Sequence, residues 1–502
     1  MQQLPAVSNK HSNAQVKFYS TFNGGLNLSV PSESLASNEL KEALNLEFSP
    51  LTGALRVRGG LVWTARFDRE IYNVIPVPGR RGFLVDSVFE GYRPDYFRWN
   101  STWKVDGLYI PHYGIKASAV TWNEYGDLLI ASGQRLQHFS DKTMPPKILE
   151  ISDSPTDCRF VFIREGRVGV VSGTNTLRFS HIGDYLKWDN DPDDESTGQF
   201  IEVGYKDGMA INAVVPLSKD LIIFKSPYNE IDKGTIWRLT GEFPNWQLLE
   251  VARNTGTFSQ DSVQVVGNDV FFLTTSGLAT LSSVTSYGEI KTSWPDTKVS
   301  SALIDLIDDS AQLWNVPVKQ QLWIQPSKNE KKIWVFDYAH GIWTKFEFPG
   351  KPIYAAGIDE KLYIFIGKDL YNVHDYYIQD DMKDTGKKII QAKMKMGTIL
   401  NSWQTLIKGA FASFELWPEC DAKLILNKFK MPFKVGGTQD YIYDPPNDTQ
   451  YASEDDDPLF PDGSVLTSRR KCIVRDWSID PEINIQGGGC SVSTVGLEIA
   501  EV

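Results

Sequence analysis

The sequence predicts an all-β protein: a β-propeller of about seven blade-like repeats, with an N-terminal arm and a C-terminal β-sandwich-like domain. Two observations favour this fold. Aromatic residues make up 12% of the 502 residues and lie between Gly, Asn and Asp turns, while long helical periodicity is nearly absent. A turn–strand–turn–strand pattern also recurs seven times, and such a period with paired strands is typical of a propeller.

The repeat is clearest when the first apolar residue of its first strand is used as a marker. Neighbouring markers lie 40 to 53 residues apart. One such unit cannot bury both faces of its own sheet, so neighbouring blades must stack to form a core. The sequence therefore predicts the propeller over residues 71–377. The seven markers are Phe83, Leu128, Val168, Leu221, Val270, Leu322 and Leu362.

The segment before the propeller, residues 1–70, is predicted to be a separate arm with one short helix. Ser37 is placed to cap that helix over residues 38–46, because Leu40, Ala43 and Leu44 recur at helical spacing. A helix this short does not fold alone. We therefore expect the arm to dock on a partner surface.

The region after the propeller is predicted to be a second β domain over residues 388–502. The polar, charged residues 379–388 are expected to form a linker to it. A long acidic loop is expected over residues 436–466. Short strands separated by long loops are typical of a sandwich-like domain. The expected strands are residues 389–396, 409–416, 423–429, 471–477 and 491–499.

Charge and targeting signals narrow the class of protein. With 51 Lys and Arg against 63 Asp and Glu, the net charge of −12 opposes tight, sequence-independent binding to nucleic acid. The N-terminus has no apolar core of a signal peptide, and no run approaches the ~18 apolar residues of a membrane span. The four cysteines lack C-x-x-C spacing and are expected to be buried free thiols in a reducing cytoplasm. They are Cys158, Cys420, Cys472 and Cys490.

The search for chemistry predicts no catalytic, cofactor-binding or metal site, and hence no enzyme. No two of the six histidines have metal-ligand spacing, and there is no G-x-S-x-G, P-loop or G-x-G-x-x-G motif. Asp189, Asp191 and Asp193 fit the first three ligands of an EF-hand loop. However, position six is Asp194 instead of Gly, and position twelve is Phe200 instead of Glu. We interpret this stretch as a solvated acidic turn between blades, with a low-affinity cation site as the alternative.

Three further patterns are interpreted as structural. The stretch from Ser180 to Trp188 resembles the S-x-D-x-G-x-x-W turn of sialidase-type propellers only at its ends, so Trp188 is expected to pack at a blade corner. The aromatic residues of 332–346 are expected to fill the space between blades, although they could also stack on bases. The basic groups Arg80-Arg81 and Arg469-Arg470-Lys471 are expected to be solvated.

The order of several motifs resembles a known family. Phe22-Asn-Gly-Gly-Leu-Asn27, Ala43-Leu-Asn45-Leu-Glu-Phe48 and Gly53-Ala-Leu-Arg-Val-Arg-Gly59 together resemble the opening of short-tailed bacteriophage tail nozzle proteins, also called tail tubular or DNA-stabilisation proteins. The resemblance runs from Phe22 to Leu281, and beyond that it concerns only the architecture. Its central motifs are Trp188, Gln199-Phe-Ile201, Asp207-Gly208, Leu221-Ile-Ile-Phe-Lys225, Ile236-Trp-Arg-Leu239 and residues 270–277.

The resemblance implies a structural virion protein of the tail, made in the cytoplasm of the bacterial host. Proteins of this family form a homohexameric ring below the portal and adaptor rings, with an axial channel that retains the genome and lets it leave. They also carry tail fibres or spikes. An acidic chain suits a channel through which double-stranded DNA passes without tight binding, because phosphates adhere to Lys and Arg surfaces.

Two other functions remain open from the sequence. A propeller joined to a β-sandwich is also compatible with a glycan-binding or glycan-cleaving tail spike, which a pocket with convergent carboxylates would favour. A cytoplasmic protein-interaction propeller is the third option, although no G-H…W-D signature is present.

Overall fold

The computed structural model separates the chain into two compact units. The propeller unit comprises residues 63–339 and 348–373, and the terminal unit comprises residues 1–62, 340–347 and 374–502. The residues that the structure describes are 15–67, 70–77, 82–87, 95–100, 102–105, 118–122, 127–140, 147–227, 230–284, 289–328, 331–358, 360–375, 377, 379–416, 420–434, 441–443, 464–488 and 490–501.

The strands that precede the first blade are short. They are β1 (Gln15–Ser20), β2 (Gly25–Leu26), β3 (Glu39–Leu44), β4 (Leu46–Phe48), β5 (Leu55–Val57) and β6 (Gly60–Arg66).

The first five blades are four-stranded antiparallel sheets. Blade 1 contains β7 (Ile71–Val77), β8 (Gly82–Ser87), β9 (Asp95–Asn100) and β10 (Thr102–Val105). Blade 2 contains β11 (Ser118–Thr121), β12 (Leu128–Ala131), β13 (Gln137–Ser140) and β14 (Lys147–Glu150). Blade 3 contains β15 (Val161–Arg164), β16 (Arg167–Ser172), β17 (Thr176–Phe179) and β18 (Gln199–Glu202). Blade 4 contains β19 (Ala210–Leu217), β20 (Asp220–Ser226), β21 (Thr235–Thr240) and β22 (Gln247–Arg253). Blade 5 contains β23 (Val263–Val266), β24 (Asp269–Thr274), β25 (Gly277–Val284) and β26 (Glu289–Ser293).

The last two blades and the segments that follow complete the strand order. Blade 6 contains β27 (Gln312–Val316), β28 (Gln321–Gln325) and β29 (Lys332–Asp337). Next in the chain is β30 (Ile342–Glu347), a strand of the terminal unit. Blade 7 contains β31 (Pro352–Ile358), β32 (Lys361–Ile366) and β33 (Asp369–His374). The remaining strands are β34 (Gln379–Met382), β35 (Gly386–Ile389), β36 (Gln391–Met396), β37 (Ile399–Leu416), β38 (Asp421–Leu426), β39 (Phe429–Lys434), β40 (Tyr441–Tyr443), β41 (Ser464–Ile479), β42 (Pro481–Gln486) and β43 (Ser491–Glu501).

Helix is a minor component of the described residues. The single α-helix among them is α1 (Ser300–Leu303), and one-turn 3-10 helices lie at Ser32–Ser34, Ile231–Lys233, Gln260–Ser262, Ile304–Leu306 and Pro317–Lys319. In the part of the chain that the structure describes, no helix combines the length and the apolar character needed to cross a membrane.

The first strands of the seven blades form a closed ring. Each of β7, β11, β15, β19, β23 and β27 contacts the first strand of the next blade, and β31 contacts β7. The protein is therefore a seven-bladed propeller with a second β unit, which confirms the predicted fold class.

The seven sequence markers all fall on the second strands of the blades, β8, β12, β16, β20, β24, β28 and β32. In blades 2 and 3 every residue of this strand is buried, whereas β18, at the outer edge of blade 3, alternates between half-buried and exposed residues. A second strand is covered by neighbouring blades on both faces, so it has a continuous apolar run that is visible in the sequence.

Apolar side chains fill the spaces between adjacent blades. One cluster joins Phe224 of blade 4 to Phe272 of blade 5, with ring centroids 5.0 Å apart. Phe336 of blade 6 lies 6.3 Å from Phe271 by the same measure. Trp334 and Phe336 are buried, which confirms that the aromatic residues of β29 belong to the core between blades.

Blade 7 receives its outer strand from the N-terminal side of the propeller. Residues 63–66 of β6 lie next to β33, and Arg66 donates from Nε to Asp369 Oδ1 and from Nη2 to Oδ2, both at 2.8 Å. The indole of Trp63 also donates to Asp369 Oδ1 at 3.2 Å. The last blade is thus completed by a strand that precedes the first.

Most strands of the terminal unit form two sheets. One has the order β4-β5-β43-β37-β41-β40 with β1 on β43, and the other has the order β30-β3-β36-β42-β38-β39 with β2 on β3. The sheets contact each other through β37 and β38 and through β39 and β41. This packing confirms a sandwich-like unit, and strands from both ends of the chain build it.

The helix expected over residues 38–46 is wrong, because Glu39–Leu44 is strand β3. Leu40 and Ala43 are both buried although they are three residues apart. The pairing of β3 with β36 shifts register between Leu40 and Glu42. A β-bulge inserts one extra residue, and here it converts the two-residue spacing of a strand into a spacing that resembles a helix.

The linker expected over residues 379–388 is also wrong. Residues 379–382 and 386–389 form an antiparallel hairpin, β34 and β35, that turns through Gly386 with φ of 73°. The expected acidic loop over residues 436–466 lies mostly outside the described residues, and its described parts belong to β40 and β41. The strands of residues 15–62 pair with strands of their own chain, including β36 and β43.

Candidate functional site

The candidate site is a cleft beside blade 3, with a volume of about 300 Å³. Segments of blades 2 and 3 line it. Its principal residues, here called the blade 2–3 cleft, are Arg135, Asp153, Asp157, Arg178, Trp188, Asn190, Gln199 and Phe200. They combine two aromatic rings with guanidinium, carboxylate and amide groups, which is a composition suited to binding a polar ligand that has an apolar face.

The floor of the cleft is held by hydrogen bonds to the backbone. Asp157 accepts a hydrogen bond from the Ser172 hydroxyl and another from the Gly173 N–H. Arg135 donates from Nη1 to the carbonyl of Ser154 at 2.6 Å. These two charged side chains are engaged within the protein, so they define the shape of the floor more than they offer groups to a ligand.

Trp188 also lines the cleft, and a hydrogen bond to Tyr185 fixes its orientation. Its indole N–H donates to the carbonyl of Tyr185 at 2.9 Å. The Tyr185 ring packs edge-on against Trp122 and His138, with centroids 5.6 and 5.2 Å away. Burial raises the pKa of Tyr185, and nearby Asp127 and Asp184 raise it further, so Tyr185 keeps its proton at neutral pH. The Trp188 ring is therefore supported by a packed aromatic group.

The lining also includes a cross-strand pair on blade 3. Arg178 of β17 lies directly opposite Phe200 of β18 in the antiparallel register. Both side chains are exposed, and Phe200 retains 56% of its accessible surface. An aromatic ring that is this exposed, beside a guanidinium and inside a concave surface, is the most conspicuous feature of the cleft.

The acidic loop, residues 189–197, adjoins the cleft through Asn190. It is anchored by Arg167, which is fully buried and donates from Nη1 to the carbonyl of Ser180 at 2.8 Å. The same guanidinium donates to the carbonyls of Glu195 and Thr197. The loop is therefore a fixed part of the blade.

Three carboxylates of this loop, those of Asp189, Asp191 and Asp194, bond to one histidine or to the backbone of the loop. Asp191 Oδ1 accepts from the N–H of Asp193 at 3.0 Å, and Asp189 Oδ1 lies 2.9 Å from His181 Nε2. Side-chain and then backbone hydrogen bonds from Ser196 lower the pKa of Asp194. Within the described ranges, no group of three acidic, His or Cys side chains is placed to hold a metal ion.

The position of the acidic loop corrects the sequence interpretation, which put it between blades. It lies inside blade 3, in the connection between the third strand, β17, and the fourth strand, β18. This connection is unusually long. Trp188 belongs to the same connection. The residue expected to pack at a blade corner thus packs on Tyr185 and also faces the cleft.

The other candidates from the sequence are not brought together at this site. Cys158, Cys420 and Cys490 are buried thiols as predicted, and burial raises the pKa of Cys158 to about 12. Arg80 and Arg81 lie outside the described residues. Arg469 and Arg470 belong to β41 of the terminal unit, where Arg469 lies opposite Phe411 of β37 and Arg470 lies opposite Ala410.

Sequence reasoning did not select Arg178, Asn190 or Phe200 for a binding role. The signal available for Phe200 was the alternation Gln199-Phe-Ile-Glu202, in which an apolar residue occupies a solvent-facing position of an outer strand. The alternation alone does not show which residues face solvent, because that depends on the register of β17 with β18.

Comparisons with known proteins give distant structural likenesses. Neither a protein-family model nor a curated protein matches the sequence. Among solved structures, the chain is similar to BamB from Moraxella catarrhalis at 11% identity and a TM-score of 0.36, over 62% of this chain and 97% of that chain. It is similar to YCF48 from Cyanidioschyzon merolae at 8% identity and a TM-score of 0.41, over 63% and 98%. It is also similar to the computationally designed Ika8 protein at 11% identity and a TM-score of 0.37, over 70% and 98%.

Proposed function

We propose that this chain is a structural, non-catalytic virion protein: a bacteriophage tail nozzle that assembles as a hexameric ring. In this role the ring has an axial channel through which DNA is retained and ejected, and it attaches tail fibres or spikes. Portal or adaptor ring proteins are its neighbours in the tail. The observation that supports the proposal is that the residues carrying the family resemblance occupy positions where the geometry requires those residue types.

The two glycines of Phe22-Asn-Gly-Gly-Leu-Asn27 meet this criterion. A Cβ on Gly24 would lie 2.5 Å from Cγ of Glu39 and 2.7 Å from the carbonyl oxygen of Asn38. Gly25 has φ of +62°, and its Cβ would lie 2.7 Å from Cγ2 of Ile342. No side chain fits at either position without displacing its neighbours, so the glycine pair is a requirement of the fold.

The second and third motifs meet in space through Asn45 and Arg58. Asn45 has φ of +57°, and its Oδ1 accepts from Arg58 Nε at 3.1 Å and from the N–H of Glu347 at 2.7 Å. Its Nδ2 donates to the carbonyl of Gln391 at 2.8 Å. Motifs that are separate in the sequence therefore form one connected framework, which supports a resemblance based on shared structure.

The charge of the chain is compatible with a conduit for DNA. Six chains of charge −12 carry −72, and such a ring repels phosphate within about one Debye length, ~8 Å at physiological salt. A propeller with an appended β unit also provides distinct surfaces for the heterologous contacts that close a ring. Both features support a ring that guides DNA without gripping it.

The proposal is tested by the mass and shape of the assembled particle. The full-length protein, alone and mixed with the portal and adaptor proteins of the same phage, is examined by mass photometry and negative-stain electron microscopy. We expect a ring of about 340 kDa, six times the 56.6 kDa chain, with an axial opening. A particle that stays a monomer or a trimer under both conditions contradicts the proposed function.

A further inference from the structure

We propose that the blade 2–3 cleft binds one neutral hexopyranose unit of a glycan. This site goes beyond the proposed nozzle function, because it lies within a single chain and does not depend on ring assembly. The volume of about 300 Å³ is at the small end of the range for small-molecule sites, which suits one sugar ring and not a long ligand.

The aromatic groups supply a platform for the apolar face of a sugar. Phe200 is 56% exposed, and covering apolar surface that is otherwise in contact with water is favourable. The face of an aromatic ring is electron-rich and attracts the polarised C–H groups of a pyranose ring. Trp188 presents a second ring in the same cleft, and its N–H is already bonded to Tyr185. Trp188 therefore offers a ligand the apolar surface of its ring and not its N–H group.

The polar groups of the cleft match the hydroxyls of a neutral sugar. Arg178 has only donors, Asp153 has only acceptors, and the amides of Asn190 and Gln199 have both. Each sugar hydroxyl can both donate and accept a hydrogen bond. Adjacent hydroxyls can therefore pair with planar side-chain groups that donate and with planar groups that accept. An anionic ligand would use the guanidinium but would face the Asp153 carboxylate.

The acidic loop argues against a polyanion in the cleft. It carries Asp189, Asp191, Asp193, Asp194 and Glu195, and its Asn190 lines the cleft. A nucleic acid backbone requires a positive footprint. Like charges facing each other at an interface disfavour binding. These carboxylates, which flank Asn190 in the chain, therefore disfavour nucleic acid and strongly acidic glycans.

The cleft is preorganised on both sides. Arg167 fixes the acidic loop, and Tyr185 fixes Trp188. The carboxylate of Asp157 bonds to Ser172 and Gly173, which holds the floor. A site whose groups are already ordered loses less conformational entropy when a ligand binds, and a small ligand depends on this saving for measurable affinity.

The test uses the full-length protein and defined probes. Saturation-transfer NMR and titration calorimetry are run with the methyl glycosides of glucose, galactose, mannose and N-acetylglucosamine, each at up to about 10 mM, well above the ~1 mM dissociation constant expected of a single-sugar contact. Two variants remove cleft groups, Phe200→Ala and Arg178→Ala. Tyr205→Ala is the matched control, because Tyr205 is 67% exposed and lies in the chain just after β18 without lining the cleft.

We expect at least one of the four glycosides to bind and both cleft variants to weaken binding at least about tenfold, with Tyr205→Ala unchanged. Both cleft residues are exposed, so their variants are expected to keep the circular dichroism spectrum and melting temperature of the parent protein. Binding of none of the four sugars overturns the proposal, and so does sugar binding that survives Phe200→Ala. A ten-nucleotide single-stranded DNA is tested in parallel. If the DNA binds and Phe200→Ala abolishes that binding, the cleft is a nucleotide site and not a sugar site.

Discussion

Arg58 and Asp380, which are 322 residues apart in the chain, form a buried two-point ion pair. Nη1 of Arg58 donates to Oδ1 of Asp380 at 3.0 Å, and Nη2 donates to Oδ2 at 2.7 Å. The two side chains are 4% and 5% exposed. The N–H of Leu61 donates to the same carboxylate at 3.1 Å. This pair fixes the start of the hairpin of β34 and β35 to the N-terminal strands of the terminal unit.

Replacing Arg58 by Ala is expected to destabilise the protein by about 3–5 kcal/mol, because it leaves the Asp380 carboxylate buried without its counter-charge. Urea denaturation followed by tryptophan fluorescence measures the change. Arg253→Ala is the control, since Arg253 is paired with Glu250 but its side chain is 77% exposed. The loss there should be much smaller, because water screens an exposed ion pair. Equal losses of unfolding free energy in the two variants would show that burial does not increase the contribution of the Arg58 pair to stability.

Gly25 and Gly386, both in the terminal unit, allow the cost of backbone strain to be separated from the cost of overpacking. Both have positive φ, +62° and +73°, but a Cβ on Gly386 would meet nothing within 4 Å, whereas one on Gly25 would meet Ile342 at 2.7 Å. Gly386→Ala is expected to cost about 1–2 kcal/mol from backbone strain alone. Gly25→Ala should cost about 1–3 kcal/mol more because of overpacking. Thermal melting of both variants measures the difference, and a Gly25→Ala protein as stable as Gly386→Ala would contradict this account.

Asp296 predicts a specific dependence of stability on pH. It is 1% exposed, and burial raises its pKa to about 6, although the N–H of Leu278 donates to Oδ2 at 3.0 Å. A carboxyl whose folded pKa exceeds its unfolded value binds its proton more tightly when folded, so stability falls as pH rises from about 4 to about 6.

Asp296→Asn keeps an acceptor for Leu278 and has no charge to bury. We expect this variant to be more stable than the parent protein by about 1–3 kcal/mol at pH 7 and little changed at pH 4. Melting temperatures at the two pH values test this prediction, with Asp309→Asn as the control because Asp309 is exposed. A stabilisation of equal size at both pH values would mean that the charge of Asp296 is not its cause.

If the protein is the proposed ring, it should bind duplex DNA weakly. We expect no measurable complex at moderate salt and, at low salt, a shallow slope of log affinity against log salt, because few phosphates are neutralised. Fluorescence anisotropy with a labelled duplex, from low to physiological salt, gives the slope. Tight binding with a steep slope would identify a clamp and not a conduit.

The blades could be predicted from the sequence because their defining signal is local. Leu128, Val168 and Val270 are each the first or second residue of a second strand whose buried residues are consecutive in the chain. The hairpin at residues 379–389 could not be predicted in the same way. Its polar composition predicts that the hairpin is exposed to solvent. Asp380 is nevertheless buried, because it pairs with the buried guanidinium of Arg58, which is far away in the sequence.

The candidate cleft shows the same limit. The sequence predicts Trp188 only as a packing residue, and Arg178 and Phe200 become a pair only through the register of β17 with β18. The bulge in β3 is a different case, because there the local pattern is misleading: a one-residue insertion between Leu40 and Glu42 produces helical spacing in a strand.

The completion of blade 7 by residues 63–66 has a consequence for synthesis on the ribosome. Trp63 and its hydrogen-bond acceptor Asp369 are 306 residues apart. At ~5–20 residues per second, Trp63 is synthesised ~15–60 s before Asp369. During that interval the nascent chain holds an unpaired strand edge and a growing arc of stacked blades. Translation speed and chaperone occupancy over these 306 residues should therefore influence the yield of folded protein.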